Sequence, residues 1–170
     1  MRNIPDPGFP GDSGATDPVV AEALAAYAGD PDRLHRPTLA VLQGSRILVP
    51  VVAVLGEVEY DAQGLAHDKS SDMAAVLMRG RDGRLALLAF TGTVALQEWD
   101  PQARPVPVPM AQAAQAAVNE EAVALVLDVA GPVRFVIEGE DLRALAEGYA
   151  LVELDGRWAW LRPQDRGGRA

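Results

Sequence analysis

The chain has 170 residues, of which 49% are hydrophobic and 23% charged, a mixture typical of one soluble globular domain with a substantial core. Its formal net charge of −9 repels nucleic-acid phosphates and anionic membrane surfaces, so neither is predicted as a partner. The absence of cysteine excludes disulfides, thiolate catalysis and cysteine-bound zinc. No signal peptide or membrane-spanning segment is recognisable, and we expect a cytoplasmic protein.

The first part of the chain combines a polar lead-in with two predicted helices. Residues 1–16 are rich in proline, glycine and aspartate without periodicity, and we expect them to be disordered. Asp17-Pro18 and Asp30-Pro31 each place a capping aspartate before a proline, a pattern typical of a helix start, so two successive helices are predicted. Pro37 predicts a break or kink in the second helix, because its nitrogen carries no hydrogen.

The rest of the chain is predicted as strands and short helices. Residues 47–54 form a β-branched apolar strand, in which Pro50 indicates an edge position or a bulge. Three pairs of apolar runs joined by short turns predict antiparallel hairpins: 73–79 with 85–90, 123–127 with 133–137, and 151–154 with 158–161. Short helices are predicted from a capping Thr91 or Thr93 to Trp99, over 110–119 and over 140–147.

Prolines alternate with valines from Pro105 to Pro109. Prolines at every second position cannot donate hydrogen bonds to a neighbouring strand, which predicts an extended edge or a polyproline-like segment. Because the strands come as hairpins and not as β–α–β crossovers, we predict an α+β fold, a single domain with a mainly antiparallel or mixed sheet and helices packed on it. The domain is expected to span residues 17–161, followed by a flexible tail over residues 162–170.

Four motifs in the middle of the chain resemble a known family. They are Lys69-Ser70-Ser71-Asp72-Met73-Ala74, Ala89-Phe90-Thr91, Trp99 before Asp100-Pro101, and Arg104-Pro105-Val106-Pro107-Val108. Together they are similar to the SseB family (SseB protein N-terminal domain), named after enhanced serine sensitivity, over roughly residues 20–146. Lysine occurs only at Lys69, and this preference for arginine, with the many alanines, is typical of an actinobacterial member. The family has no established biochemical activity, so the resemblance implies no reaction.

The first of these motifs supplies candidate contact residues. Lys69, Ser70, Ser71 and Asp72 lie where a loop enters a strand, a position that holds side chains rigidly and leaves them accessible. They can pin the loop through hydrogen bonds to local amides, or contact a ligand or partner, with Lys69 as a charge for a carboxylate or phosphate. A Ser–Lys nucleophile pair is a third interpretation, although adjacent residues of an extended segment point to opposite faces.

The candidate contact set is completed by four residues from the other motifs: Phe90, Thr91, Trp99 and Arg104. A tryptophan at a helix end usually seals the core, and an arginine can stack on it, whereas an exposed Trp–Arg pair would be a binding hot spot. Trp158 and Trp160 project to one face of the last hairpin, where they would cover the sheet or form an interface.

The sequence predicts no cofactor, no metal site and no catalytic residue. It contains no glycine-rich phosphate-binding loop, and its two histidines, His35 and His67, belong to no metal motif. Glu57, Glu59 and Asp61 alternate in a predicted loop, but the glycine turn and distant glutamate of a calcium loop are missing.

The leading hypothesis is a non-catalytic cytoplasmic module that binds an unknown protein or small-molecule partner. Binding needs a shaped surface, whereas catalysis needs a base, a nucleophile and a stabilising group in register. The alternative is an enzyme that acts on an amino acid or a derivative, with Lys69 and Asp72 in its pocket. A homo-oligomer formed through the proline–valine segment or the terminal hairpin is a third hypothesis.

Overall fold

Two helices followed by a run of strands begin the described part of the chain, which in this computed structural model comprises residues 9–53, 59–60, 66–67 and 73–163. The helices found there are α1 (Pro18–Gly29), α2 (Pro31–Leu42), α3 (Thr93–Trp99), α4 (Met110–Asn119) and α5 (Gly139–Ala146). The strands found there are β1 (Arg46–Ala53), β2 (Glu59–Tyr60), β3 (Ala66–His67), β4 (Met73–Ala75), β5 (Leu77–Arg79), β6 (Leu85–Ala89), β7 (Arg104–Pro109), β8 (Ala124–Leu127), β9 (Phe135–Glu138), β10 (Ala150–Leu154) and β11 (Arg157–Leu161).

Two capped helices open the fold, as the sequence predicts. The carboxylates of Asp17 and Asp30 accept hydrogen bonds from backbone amides in the first turns of α1 and α2, at 2.8 and 3.3 Å. The break predicted at Pro37 does not occur, because α2 continues without interruption through that residue. The proline removes one backbone hydrogen bond, and burial of Leu39 and Leu42 on the inner face of α2 offsets that loss.

The strands form two main sheets that meet at one point. One sheet has the order β5-β6-β8-β9, in which β6 and β8 are parallel and the other pairs antiparallel; the antiparallel second sheet has the order β4-β1-β7. Leu48 of β1 and Phe90 beyond β6 exchange two backbone hydrogen bonds of 2.7 and 2.8 Å and join the sheets. The predicted α+β class with a mixed sheet is confirmed, and so are the two later hairpins. The hairpin of 73–79 with 85–90 is confirmed only for β5, because β4 pairs with β1 in the other sheet.

The proline–valine segment forms β7, the outer strand of its sheet among the described residues. Leu48 of β1 pairs with Pro107, and Leu48 directs its amide away from β7 toward Phe90. Two residues paired in this way turn their amides away from each other, so Pro105, Pro107 and Pro109 all place their nitrogens on the open edge. The missing N–H groups therefore remove no hydrogen bond from the sheet, which confirms the predicted edge.

Pro50 lies in an interior strand, because β1 has neighbours on both sides. Its nitrogen points to the same side as that of Leu48, where the partner of β1 changes from Phe90 to Ala75 in β4. The missing N–H falls in the gap between these two partners, and the register with β7 continues through Pro50 without a bulge. The prediction of an edge or a bulge is therefore wrong, and the junction of the two sheets explains why proline fits.

Apolar side chains pack on both faces of the four-stranded sheet. On one face Leu87 and Leu125 belong to a large cluster with residues of α1, α2, α4 and α5. On the other face Leu88 and Val126 belong to a smaller cluster with residues of α3. Consecutive residues of a strand face opposite sides, so burial of both faces explains why residues 85–90 form a continuous apolar run instead of an alternating one.

The terminal hairpin of β10 and β11 docks on α2 and α5. Gln43, directly after α2, donates a hydrogen bond to the carbonyl of Leu151 at 2.8 Å and accepts one from its amide at 2.7 Å. Trp160 donates its indole N–H to Asp141 of α5 at 3.1 Å. Trp158 and Trp160 are half-buried against the large cluster, as predicted for a pair that covers the sheet. The hairpin therefore completes the core, a role that the sequence left unassigned.

Gln43→Ala is expected to lower the free energy of unfolding by about 1–3 kcal/mol, because the buried amide and carbonyl of Leu151 lose their partner. Urea unfolding followed by tryptophan fluorescence measures the change. Gln112→Ala on α4 is the matched control, since the Gln112 side chain is exposed. Equal unfolding midpoints for the two variants would contradict the role of Gln43 in docking the hairpin.

Candidate functional site

The two parallel strands end side by side, and polar residues follow both of them. Ala89 at the end of β6 is paired with Leu127 at the end of β8. Thr91 follows the first strand and Asp128 the second. In α/β sheets, ligands bind beyond the carboxyl ends of parallel strands, so this edge is a favoured position for a binding site.

Asp128 holds the two strand ends together. Its Oδ1 accepts the backbone N–H of Thr91 at 2.8 Å, and its Oδ2 accepts the Thr91 hydroxyl at 2.7 Å. The amide of Asp128 donates to the carbonyl of Ala89 at 3.1 Å. Asp128 is only 6% exposed and Thr91 only 5%, so water competes little for these hydrogen bonds. A buried carboxylate with both oxygens bonded to one residue is a rigid connection between the strands.

Two features make Asp128 a costly residue for the fold. Burial raises the pKa of its carboxyl above the ordinary value of 3.8; the hydrogen bonds from Thr91 act in the opposite direction, and the charge of Glu98 raises the pKa further. The backbone of Asp128 has a φ of 52°, a left-handed conformation that aspartate and asparagine adopt more readily than most residues. The first feature concerns the side chain of Asp128, and the second concerns its backbone.

The N-terminal segment, which we define as residues 9–17, contacts the same edge. The carbonyl of Gly14 accepts the amide of Thr93 at 2.7 Å and its hydroxyl at 2.6 Å. The hydroxyls of Thr16 and Thr91 lie 3.3 Å apart. The N-terminal segment thus reaches both the first turn of α3 and the residue that binds Asp128.

Gly92 allows this close approach and is also the N-cap of α3. A Cβ atom at Gly92 would lie 2.7 Å from the backbone nitrogen of Thr16, too close for any other residue type without movement of the N-terminal segment. The predicted helix cap at Thr91 or Thr93 is therefore wrong. Both threonine hydroxyls bind other segments of the chain instead.

Arg46, the first residue of β1, binds the N-terminal segment. Its Nε and Nη2 lie 2.6 and 2.7 Å from the two carboxylate oxygens of Asp12, and its guanidinium also donates to the carbonyls of Ala15 and Thr91 at 2.9 and 2.8 Å. The hydrogen bonds from Arg46 hold the pKa of the Asp12 carboxyl below its ordinary range. The disorder predicted for residues 1–16 stays a prediction, and these contacts concern residues 12–16 of that stretch.

A cavity of about 360 Å³, which we call the Asp128 groove, opens beside the Thr91–Asp128 pair. Its walls are apolar side chains of α1, α3 and the connection from β8 to β9: Ala21, Leu24, Ala25, Val94, Ala95, Pro132 and Val133. Its polar lining residues are Thr16, Thr91, Glu98 and Asp128. An apolar cavity with a few polar groups, held between helices, is the usual form of a small-molecule site.

The chain matches the family model described as SseB protein N-terminal domain over residues 20–144, which is most of its length. It belongs to the SseB family. No curated protein and no solved structure matches it. The matched part of this SseB domain contains Arg46, Thr91 and Asp128, and it ends before the terminal hairpin of β10 and β11.

The predicted contact residues of the SseB domain lie in different surroundings. Lys69, Ser70, Ser71 and Asp72 lie outside the described residues. Thr91 lines the Asp128 groove. Two others pack together: Phe90 is fully buried, and its ring centroid lies 5.5 Å from that of the half-buried Trp99. Arg104 is exposed at the start of the edge strand β7.

The residues predicted from the sequence did not include Asp128, Arg46 or Asp12. A signal for Asp128 was present, because a charged residue that directly follows four buried strand residues and precedes a tight turn indicates a polar group held at a strand end. The Arg46–Asp12 pair had no comparable local signal. The two residues are 34 positions apart, and the acid lies in a stretch without periodicity.

The histidine that the structure describes fully, His35, has a packing role. Its ring stacks on Phe135 with centroids 4.8 Å apart, and its Nε2 lies 3.2 Å from the carbonyl of Val136. Within residues 9–53 and 73–163 and the two short strands between them, no three His, Asp or Glu side chains are grouped to hold a metal ion. The helices of this same part of the chain include none that is long and apolar enough to cross a membrane.

Asp128→Ala is expected to lower the free energy of unfolding by about 1–3 kcal/mol, because the buried amide and hydroxyl of Thr91 lose their acceptors. Asp128→Asn is expected to be at least as stable as the natural chain at neutral pH, since an amide keeps an acceptor for Thr91 and tolerates the left-handed backbone without a buried charge. Urea unfolding of both variants measures the difference.

The stability gained by Asp128→Asn is expected to depend on pH. Because the folded protein raises the pKa of Asp128, ionisation of this carboxyl costs stability as the pH rises from 3.8 through the folded pKa, and asparagine escapes that cost. The difference between the two chains should therefore be smallest at acid pH and reach a plateau at neutral pH. A stability difference that is constant with pH would show that ionisation of Asp128 does not lower the free energy of unfolding.

Arg46→Gln is expected to release residues 12–16 from the edge of the domain. The amide of Thr93 should then exchange with solvent about tenfold faster, because it loses the carbonyl of Gly14 and because a charge-assisted bond is worth roughly 1.5–3 kcal/mol. Hydrogen exchange followed by NMR measures this rate. Arg33→Gln, which alters an exposed ion pair on α2, is the control, and unchanged exchange at Thr93 would refute the anchoring role of Arg46.

Proposed function

We propose that this SseB-family domain is a non-catalytic module that recognises a partner in the Asp128 groove. One observation carries the proposal: a buried carboxylate, fixed by two hydrogen bonds from Thr91, lines an apolar cavity at the carboxyl ends of two parallel strands. Such a position combines a shaped apolar surface with one directional polar group, which is what binding requires.

The groove is held by rigid elements. Leu24 of α1 is buried in the large core cluster, and Leu96, which is buried in the smaller cluster, holds α3 from the other side. The short side chains of Ala21, Ala25 and Ala95 keep the space between the two helices open. Since the walls belong to packed helices, the site is preformed. Little binding free energy would therefore be lost in ordering it.

The groove favours binding over chemistry. The Thr91 hydroxyl and the Asp128 carboxylate, 2.7 Å apart, resemble a nucleophile and its base. The hydroxyl oxygen of Thr91, which would have to attack a substrate, already lies beside the hydroxyl of Thr16. The same hydroxyl fastens two strands together, and the backbone amide of Thr91 binds the same carboxylate. These contacts fit a structural role for Thr91, which holds two strand ends together at the edge of a binding cavity.

The contact predicted at Lys69, Ser70, Ser71 and Asp72 remains a separate part of the proposal. Lys69→Ala and Asp72→Ala are expected to weaken partner binding without changing stability if these side chains contact the partner. A loss of several degrees in the melting temperature, with binding unchanged, would assign them a structural role instead.

An NMR fragment screen on the full chain tests the groove. Fragments are expected to shift the amide signals of Thr91, Ala95 and Val133 together, because these residues line one cavity. Ala25→Trp places a large side chain in the groove and should abolish these shifts, while Ala28→Trp, at an exposed position of α1 that does not line the groove, should leave them intact.

Circular dichroism and melting temperature establish that both tryptophan variants are folded. Fragment shifts that survive Ala25→Trp, or that never involve Thr91 and its neighbours, would overturn the proposal that the Asp128 groove is the recognition site.

A further inference from the structure

The charged residues that line the Asp128 groove among the described residues are both acidic. Asp128 lines it as a buried residue, and Glu98 of α3 lines it as an exposed one. The two carboxylates are close enough for the charge of Glu98 to affect the ionisation of Asp128. Arg46 contacts the carbonyl of Thr91, but its guanidinium binds both oxygens of Asp12. The groove therefore presents negative charge that its own lining does not neutralise.

Asp128 retains the capacity to accept further hydrogen bonds. Each carboxylate oxygen has two acceptor positions, and Thr91 occupies one on each oxygen. A donor that enters the groove can use the remaining positions, and a positively charged donor would also lower the cost of the buried charge. Thr91 holds the carboxylate in place before any ligand arrives, so the acceptor is preorganised.

Asparagine is expected to satisfy the fold at this position without a negative charge. Asparagine would tolerate the φ of 52° equally well and would still accept the amide of Thr91, without the cost of a buried carboxylate. The presence of aspartate at a position where asparagine would satisfy the fold indicates that the charge serves something outside the fold.

The walls of the Asp128 groove indicate that the rest of the ligand is small and apolar. Leu24, Val94 and Val133 present apolar surface to the cavity, and Val94 is 70% exposed at the opening. The volume of about 360 Å³ lies at the lower end of the roughly 300–1,000 Å³ that small-molecule sites occupy. A metal ion would need more oxygen ligands than Asp128 and Glu98 provide, and it would leave the apolar walls without a partner.

We propose that the Asp128 groove binds a small organic cation, an ammonium group on a short apolar body. The ammonium group donates to Asp128 and lies near Glu98, while the apolar body contacts Leu24, Val94 and Val133. The inference rests on the proposed recognition function of the groove and adds the chemical class of its ligand.

Three probes of equal length test the charge requirement: hexylammonium, hexanol and hexanoate, each titrated into the full chain and followed by NMR. Hexylammonium is expected to shift the amide signals of Thr91, Asp128 and Gly131 saturably. It should bind about tenfold more tightly than hexanol, a difference of about 1.4 kcal/mol, because its ammonium group donates a charge-assisted hydrogen bond. Hexanoate should bind more weakly than hexanol, because Asp128 and Glu98 repel it.

Variants of single carboxylates locate the effect. Asp128→Asn should weaken hexylammonium binding about tenfold and leave hexanol binding unchanged, and Glu98→Gln should weaken it by roughly two- to threefold. Glu22→Gln, an exposed residue of α1 that does not line the groove, is the matched control and should have no effect.

Two negative outcomes are distinguishable. If hexanol binds as tightly as hexylammonium, or if Asp128→Asn leaves the binding of hexylammonium unchanged, the ligand class is wrong and the groove remains a recognition site for neutral molecules. If none of the three probes shifts the signals of Thr91, Asp128 and Gly131, the recognition function of the groove is overturned together with its ligand class.

Discussion

The double hydrogen bond between Thr91 and Asp128 is the interaction on which the edge of this domain depends. β6 and β8 are parallel, so no turn joins their ends, and the side chain of Asp128 makes the connection instead. The same residue, Thr91, contacts Thr16 through its hydroxyl and Arg46 through its carbonyl. Four parts of the chain therefore meet at this one buried residue: the N-terminal segment, β1, β6 and β8. A displacement of one of them would alter the hydrogen bonds of the others.

Local signals in the sequence were sufficient for much of the fold. Asp17 and Asp30 indicated helix starts, and the alternating prolines indicated an edge strand, because each signal acts on backbone atoms of its own segment. The edge or bulge predicted at Pro50 and the break predicted at Pro37 were wrong for the opposite reason. The effect of a missing N–H on stability depends on whether an acceptor faces the proline nitrogen. The nitrogen of Pro50 faces the junction between two sheets, which neighbouring residues in the sequence do not reveal.

The candidate site was predictable only in part. Thr91 was found through its motif, but its partner Asp128 is 37 positions away, on a strand that was predicted only as half of a hairpin. The parallel pairing of β6 with β8 creates the site, and that pairing joins two hairpins with α3, β7 and α4 between them. A hydrophobic pattern states that both strands are buried; it does not state which strand lies next to which.

The cost of Asp128 connects the fold to its proposed function. Burial raises the pKa of the carboxyl and the nearby Glu98 adds a repulsive charge, so two effects oppose an ionised side chain at this position. Thr91 offsets the first of these effects through hydrogen bonds that a neutral amide would partly reproduce. A cationic ligand would offset the remaining electrostatic cost at once, because it supplies both a hydrogen-bond donor and the opposite charge. On this reasoning the free domain carries an electrostatic cost at its groove, and binding relieves it.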